Sequence, residues 1–142
     1  MLELIALSLG LAVNSLNVYF KDHQTTFMRL NHYPPCPSPT LALGVGRHKD
    51  GGALTVLAQD EVGGLEVRKK SDGEWIRVKP TPGAFIINVG DIVQVWSNDK
   101  YESVEHRVMS YNWGKFMTHR KDSAFTKQYV ENIQTHHFRM QE

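Results

Sequence analysis

Apolar positions in this chain start at helical spacing and then give way to short alternating runs. Leu2, Ile5 and Leu9, with Ala6 and Val13, share one face of a helix, which predicts an amphipathic packing helix over residues 2–13. A secretory leader is the competing reading, but the stretch has no basic start and carries Glu3 there instead. Gly10 and Asn14-Ser15 mark a break, and residues 16–20 suit a second short helix or turn. Residues 25–33 read as a strand, with Met28, Leu30 and His32 alternating against Arg29, Asn31 and Tyr33. The prolines at 34, 35, 37 and 39 remove backbone donors and make residues 34–39 a rigid connector.

Residues 41–46 lead into an expected strand bearing His48 and Asp50, a buried strand continues over 53–59, and a hairpin turn at 60–64 leads into 65–69. Residues 74–79 return after a turn at Ser71-Asp72-Gly73, and 84–89 form a continuous apolar strand. A short turn or helix at 90–96, a turn at Ser97-Asn98-Asp99 and a strand over 101–108 follow. Residues 113–121 are basic and aromatic with a helical look, and 130–134 form a weaker element. Short strands punctuated by Gly, Pro, Asn and Asp about every ten residues predict an antiparallel sandwich or jelly roll. Three segments are expected: a helical one over 1–24, the β domain over 25–109, and a closing helix and tail over 110–142.

Composition narrows the partners. A chain of 142 residues, 41% hydrophobic, has room for one domain and one core. A formal charge of +1 with intermixed signs argues against nucleic acid or an anionic membrane, leaving a small molecule or a protein as the expected partner. No apolar stretch is long enough to span a bilayer. Cys36 is the only cysteine, which excludes an internal disulfide and suits the cytoplasm. Oligomeric state is not encoded in any pattern of this kind.

Candidate chemistry gathers on Gly46-Arg47-His48-Lys49-Asp50-Gly51-Gly52. His48 and Asp50, two apart in an extended segment, project to the same side and could grip one ion. His106, on a later strand, is the candidate third ligand. Two imidazoles and one carboxylate with other positions open suit a non-heme Fe(II) site. A chance His-x-Asp in a chain with seven histidines is the alternative that these residues alone leave open. His136-His137 would face opposite ways if extended and is set aside.

Five runs together carry a resemblance: Arg29-Leu30-Asn31-His32-Tyr33-Pro34-Pro35-Cys36-Pro37; residues 44–57 around His48-Lys49-Asp50; Gly63-Gly64-Leu65-Glu66-Val67; Asn88-Val89-Gly90-Asp91; and Ser103-Val104-Glu105-His106-Arg107-Val108. In this order they resemble the C-terminal domain of plant-type 2-oxoglutarate and Fe(II)-dependent dioxygenases. The resemblance implies a double-stranded β-helix (a cupin-like jelly roll), His48, Asp50 and His106 as iron ligands, and Asn31 and Tyr33 lining the 2-oxoglutarate pocket. It also implies a reaction in which O₂ converts 2-oxoglutarate to succinate while a small plant metabolite is hydroxylated or desaturated.

The departures from that family are specific. An Arg-x-Ser that clamps the remote carboxylate of 2-oxoglutarate is expected after the distal histidine, and the positions at that offset hold Phe116-Met117-Thr118. The chain therefore reads as an incomplete jelly roll lacking the strands between Met109 and Ser110 and a preceding N-terminal domain. Two functions follow: a dioxygenase of reduced or absent activity, or a non-catalytic metal-binding or protein-interaction remnant of the fold. Arg107 is no substitute for the clamp, because on a strand it faces away from its neighbour His106.

Overall fold

The structure, a computed structural model, describes residues 1–21 and 26–110. The elements expected over 113–121 and 130–134 lie outside the described residues. The described residues fall into two compact units: those within Met1–Tyr33, His48–Ala58 and Gly83–Glu105 form the first, and those within Pro34–Arg47, Gln59–Pro82 and 106–110 form the second.

In the first unit, helix α1 spans Leu2–Ser8 and buries Ile5 and Ala6. The predicted apolar face holds for Leu2, Ile5, Ala6 and Leu9, but Val13 is exposed because the helix stops early, with Gly10 at φ +76° just beyond its cap. A glycine there takes the left-handed turn that ends a helix without steric cost. A 3-10 helix, Asn17–Phe20, follows, and Tyr19 and Phe20 pack on Trp96. Ile5, Ala6 and Leu16 share a core with Val93 of α2 (Asp91–Trp96). Strands β2 (Leu54–Leu57) and β5 (Ile86–Val89) pair antiparallel, with Thr55 opposite Asn88.

Val93 is 1% exposed and Val95 on the same helix 76% exposed. Val93→Ala is therefore expected to cost about 1–3 kcal/mol, and Val95→Ala less than about 0.5 kcal/mol. Thermal melts of the two variants check this, and equal effects would contradict the packing.

A second sheet is formed, in this spatial order, by β1 (Leu43–His48), β6 (His106–Met109), β3 (Leu65–Arg68) and β4 (Trp75–Arg77). β3 is antiparallel to both β4 and β6. The β3–β4 turn carries the bonded pair Lys69–Asp72 at 2.6 Å, and this ammonium, then the Glu74 backbone N–H, holds the Asp72 carboxyl below the usual carboxylate range.

Three expectations change. Residues 26–33 form no strand, and Phe27, Met28 and Leu30 lie exposed; β propensity without a partner ladder is a weak force, and the prolines that follow remove donors. The turn at 60–64 exists, with Asp60 Oδ1 accepting from the Val62 and Gly63 N–H groups, but it makes no β2–β3 hairpin, since β2 pairs with β5. β2 is also less buried than expected, Val56 being 60% exposed. Gly64, at φ +125°, lies where its carbonyl accepts from the Met109 N–H at 2.8 Å, which ties the turn to β6.

Candidate metal centre

His48 is the last residue of β1 and His106 the first of β6, and these strands are hydrogen-bonded neighbours in one sheet. The register places His106 opposite Val67 and Arg107 opposite Glu66. Alternation then sends the two neighbours to opposite faces. Arg107 accordingly pairs with Glu66 Oε2 through Nε at 2.8 Å and through its terminal nitrogen at 2.7 Å, and its guanidinium sits 4.1 Å over the Trp75 ring. Charge-assisted bonds and an aromatic face together define a fixed seat for a guanidinium.

β1 ends at His48, so no ladder holds Asp50. Contacts from β2, β5 and α2 do so instead. Thr55 Oγ1 and Asn88 Nδ2 both donate to Asp50 Oδ2, at 2.7 and 2.6 Å. The Asp50 carbonyl accepts from the Asp91 N–H at 2.8 Å, and the Gly52 carbonyl accepts from the Ile92 N–H at 3.2 Å. Gly90 N–H adds a bond to the Ala53 carbonyl at 2.9 Å. The first turn of a helix has N–H groups without intrahelical partners, and here the loop bearing Asp50 supplies their acceptors. Gly90 must stay bare for this: a Cβ would collide with the Gly52 carbonyl and lie 2.8 Å from that of Asp50.

The result is a compact group. One ligand atom from each of His48, Asp50 and His106 lies within 4.8 Å of the others, a spacing at which the three could hold a metal ion. His48 Nε2 is 3.6 Å from Asp50 Oδ1, beyond a good hydrogen bond. The three differ in exposure, with His106 buried, the Asp50 side chain 21% exposed and that of His48 41% exposed. Two neutral imidazoles and one carboxylate match a divalent first-row metal, so the donor set fits iron.

Of the residues singled out in the sequence, the structure brings these three together. Asn31 and Tyr33 lie exposed on the irregular segment before Pro34. Reading the sequence alone did not find Thr55 or Asn88 as supports of Asp50. Among the described residues, no helix is long and apolar enough to cross a membrane.

Comparison with known proteins bears on what the group does. Residues 24–126 match the model of the 2OG-Fe(II) oxygenase superfamily. Feruloyl CoA ortho-hydroxylase 2 of Arabidopsis thaliana is 53% identical over 91 residues, covering 62% of this chain and 25% of that protein. Gibberellin 2-beta-dioxygenase 8 of the same plant is 52% identical over 95 residues, covering 65% of this chain and 28% of that one. The chain thus spans about a quarter of the length of these relatives. The crystal structure of JOX2 in complex with 2OG, Fe and JA superposes with a TM-score of 0.66 at 38% identity, over 79% of this chain and 33% of that one. Together with the antiparallel sheets, this likeness bears out the expected fold class, a mainly β jelly roll.

Proposed function

Because the chain belongs to the 2OG-Fe(II) oxygenase superfamily, we propose that His48, Asp50 and His106 hold its Fe(II) and that Asn31 and Tyr33 line the pocket of the cosubstrate 2-oxoglutarate. The observation that carries the metal assignment is the convergence of the three donors within 4.8 Å. Asn31 and Tyr33 rest on the motif they share with the family. When bound, Fe(II) with 2-oxoglutarate and O₂ would supply the oxidising power to hydroxylate or desaturate a small plant metabolite, the class to which the feruloyl CoA and gibberellin of the relatives' names belong.

The chain's own residues divide the remaining work. His106 is the buried member of the group, and the His48 side chain is the more exposed one. Asp50 is aimed by Thr55 and Asn88. With His48, Asp50 and His106 as its only protein ligands, the metal would keep positions open for the cosubstrate. A site of proposed action in the cytoplasm agrees with the single thiol, Cys36.

A second reading, a non-catalytic metal-binding form, is favoured by one observation: this sequence contains no Arg-x-Ser, and Arg107 is engaged by Glu66 and Trp75. On this reading the distal carboxylate of 2-oxoglutarate would lack a guanidinium partner, and a desolvated bidentate pair of that kind is worth about 2–5 kcal/mol. Titration of the protein with Co(II), followed by 2-oxoglutarate, separates the readings. The expected result is a visible Co(II) spectrum that is lost in His48→Ala and that shifts only at 2-oxoglutarate concentrations far above those of a clamped site. No response to 2-oxoglutarate at any concentration favours the non-catalytic form, and succinate release with Fe(II) establishes turnover.

A further inference from the structure

Asp50 carries an asymmetry that the donor set alone does not require. Two side-chain donors meet at the same one of its oxygens: Thr55 Oγ1 at 2.7 Å and Asn88 Nδ2 at 2.6 Å both reach Oδ2, while Oδ1 lies 3.6 Å from His48 Nε2. Each carboxylate oxygen offers about two lone pairs. Two short, charge-assisted bonds therefore use the capacity of Oδ2 and fix the plane of the carboxylate.

The two donors are also a matched pair. Thr55 and Asn88 are direct partners in the β2–β5 ladder. Side chains of directly opposite residues leave a sheet on the same face a few ångströms apart. The pairing that builds the sheet thus also builds a two-pronged fork around a single oxygen.

Resting on the metal reading above, we propose that Thr55 and Asn88 are positioning residues that set the denticity of Asp50. They confine it to ligation through Oδ1 alone and so keep one more coordination position available to incoming molecules. A carboxylate released from the fork can rotate and present both oxygens to a metal. Two-oxygen ligation suits larger, oxygen-seeking ions such as Mn(II) better than it suits Co(II), and it fills a position that a cosubstrate would otherwise take.

The test is titration of the full chain with Co(II) and, separately, with Mn(II), using wild type, Thr55→Val, Thr55→Ser, Asn88→Leu and the double variant T55V/N88L. Far-UV circular dichroism of each variant monitors folding. Removing a group that orients a metal ligand typically weakens affinity about 10- to 100-fold. The expected result is a fall of that size for Co(II) in T55V and N88L, a clearly smaller fall for Mn(II), and recovery of the Co(II) value in T55S, which keeps the hydroxyl. The absorption of bound Co(II) should change shape in T55V and return in T55S.

Equal weakening of both metals would reduce the pair to a structural prop and overturn the proposal, as would wild-type affinities throughout. If N88L does not fold, T55V and T55S carry the same comparison. Should wild type bind neither metal, the triad assignment fails and this inference with it. Wild-type binding with unchanged selectivity in the variants sinks only the inference.

Discussion

His106→Ala is expected to abolish stoichiometric metal binding, weakening Co(II) or Fe(II) by more than the roughly 100-fold that loss of an orienting group can cost. His106 is the buried member of the triad and the one supplied by a distant part of the sequence. Its loss leaves His48 and Asp50, two donors two positions apart in the chain, which hold an ion no better than many surface pairs. Stability offers a second readout. A metal that binds only the folded chain raises stability by about 2.7 kcal/mol at a hundred times its dissociation constant. Wild type should therefore melt at higher temperature with saturating Co(II), and H106A should not. His32→Ala, which removes an exposed histidine outside the triad, should behave as wild type. A metal-dependent melting shift that survives in H106A would remove the triad as the binding group.

Gly90→Ala is the second large effect expected. The added methyl meets the backbone carbonyls of Gly52 and Asp50, and neither can turn away as a side-chain tip could. Relief requires separating α2 from the loop, which breaks the bonds from Gly90, Asp91 and Ile92 N–H to Ala53, Asp50 and Gly52 carbonyls. Overpacking in a tight interior costs about 1–3 kcal/mol, and three backbone bonds at about 1 kcal/mol each lie at risk as well. The variant should melt well below wild type and bind Co(II) more weakly, because the same loop carries Asp50. Gly51→Ala and Gly52→Ala make the comparison sharp: a Cβ at either position meets nothing within 4 Å. If G90A matches those two variants in melting temperature and affinity, the described packing of α2 on the loop is wrong.

That contrast also shows where a sequence stops being readable. Next to His48-Lys49-Asp50, the eye goes to Gly51 and Gly52, yet the glycine under steric pressure lies almost forty positions away, at the start of a helix. Local rules did well where the governing force was local. Strand alternation placed Arg107 on the face opposite His106, and the Glu66 and Trp75 contacts agree. Helical periodicity found Ile5 and Ala6, and lost only Val13, where Gly10 had already ended the helix. Turn chemistry found Ser97-Asn98-Asp99, whose Asn98 and Asp99 take positive φ, as those two residue types do more readily than most.

The failures share a cause. The turn at 60–64 looked like a hairpin because hairpins join neighbours in sequence, whereas β2 takes its partner from residues 86–89. Without that pairing, Thr55 is one more β-branched strand residue and Asn88 an unexplained polar interruption of an apolar run. The strand expected over 25–33 failed for the complementary reason: alternation was present, but no ladder accompanies it among the described residues. The grouping of His48, Asp50 and His106 was legible because the donors' chemistry and the shared motifs pointed to the same three residues, whose ligand atoms lie within 4.8 Å of one another.

The antiparallel match of Thr55 with Asn88 has a consequence for how errors in this protein would look. Strand side chains alternate, so a slip of β2 by a single residue would turn Thr55 toward the opposite surface and bring Val56 or Leu54 beneath the acid. Such a misfolded species could retain its sheets and still have lost the correct grip on Asp50. For this chain, spectroscopic measures of secondary structure would then count as native some molecules that are chemically miswired.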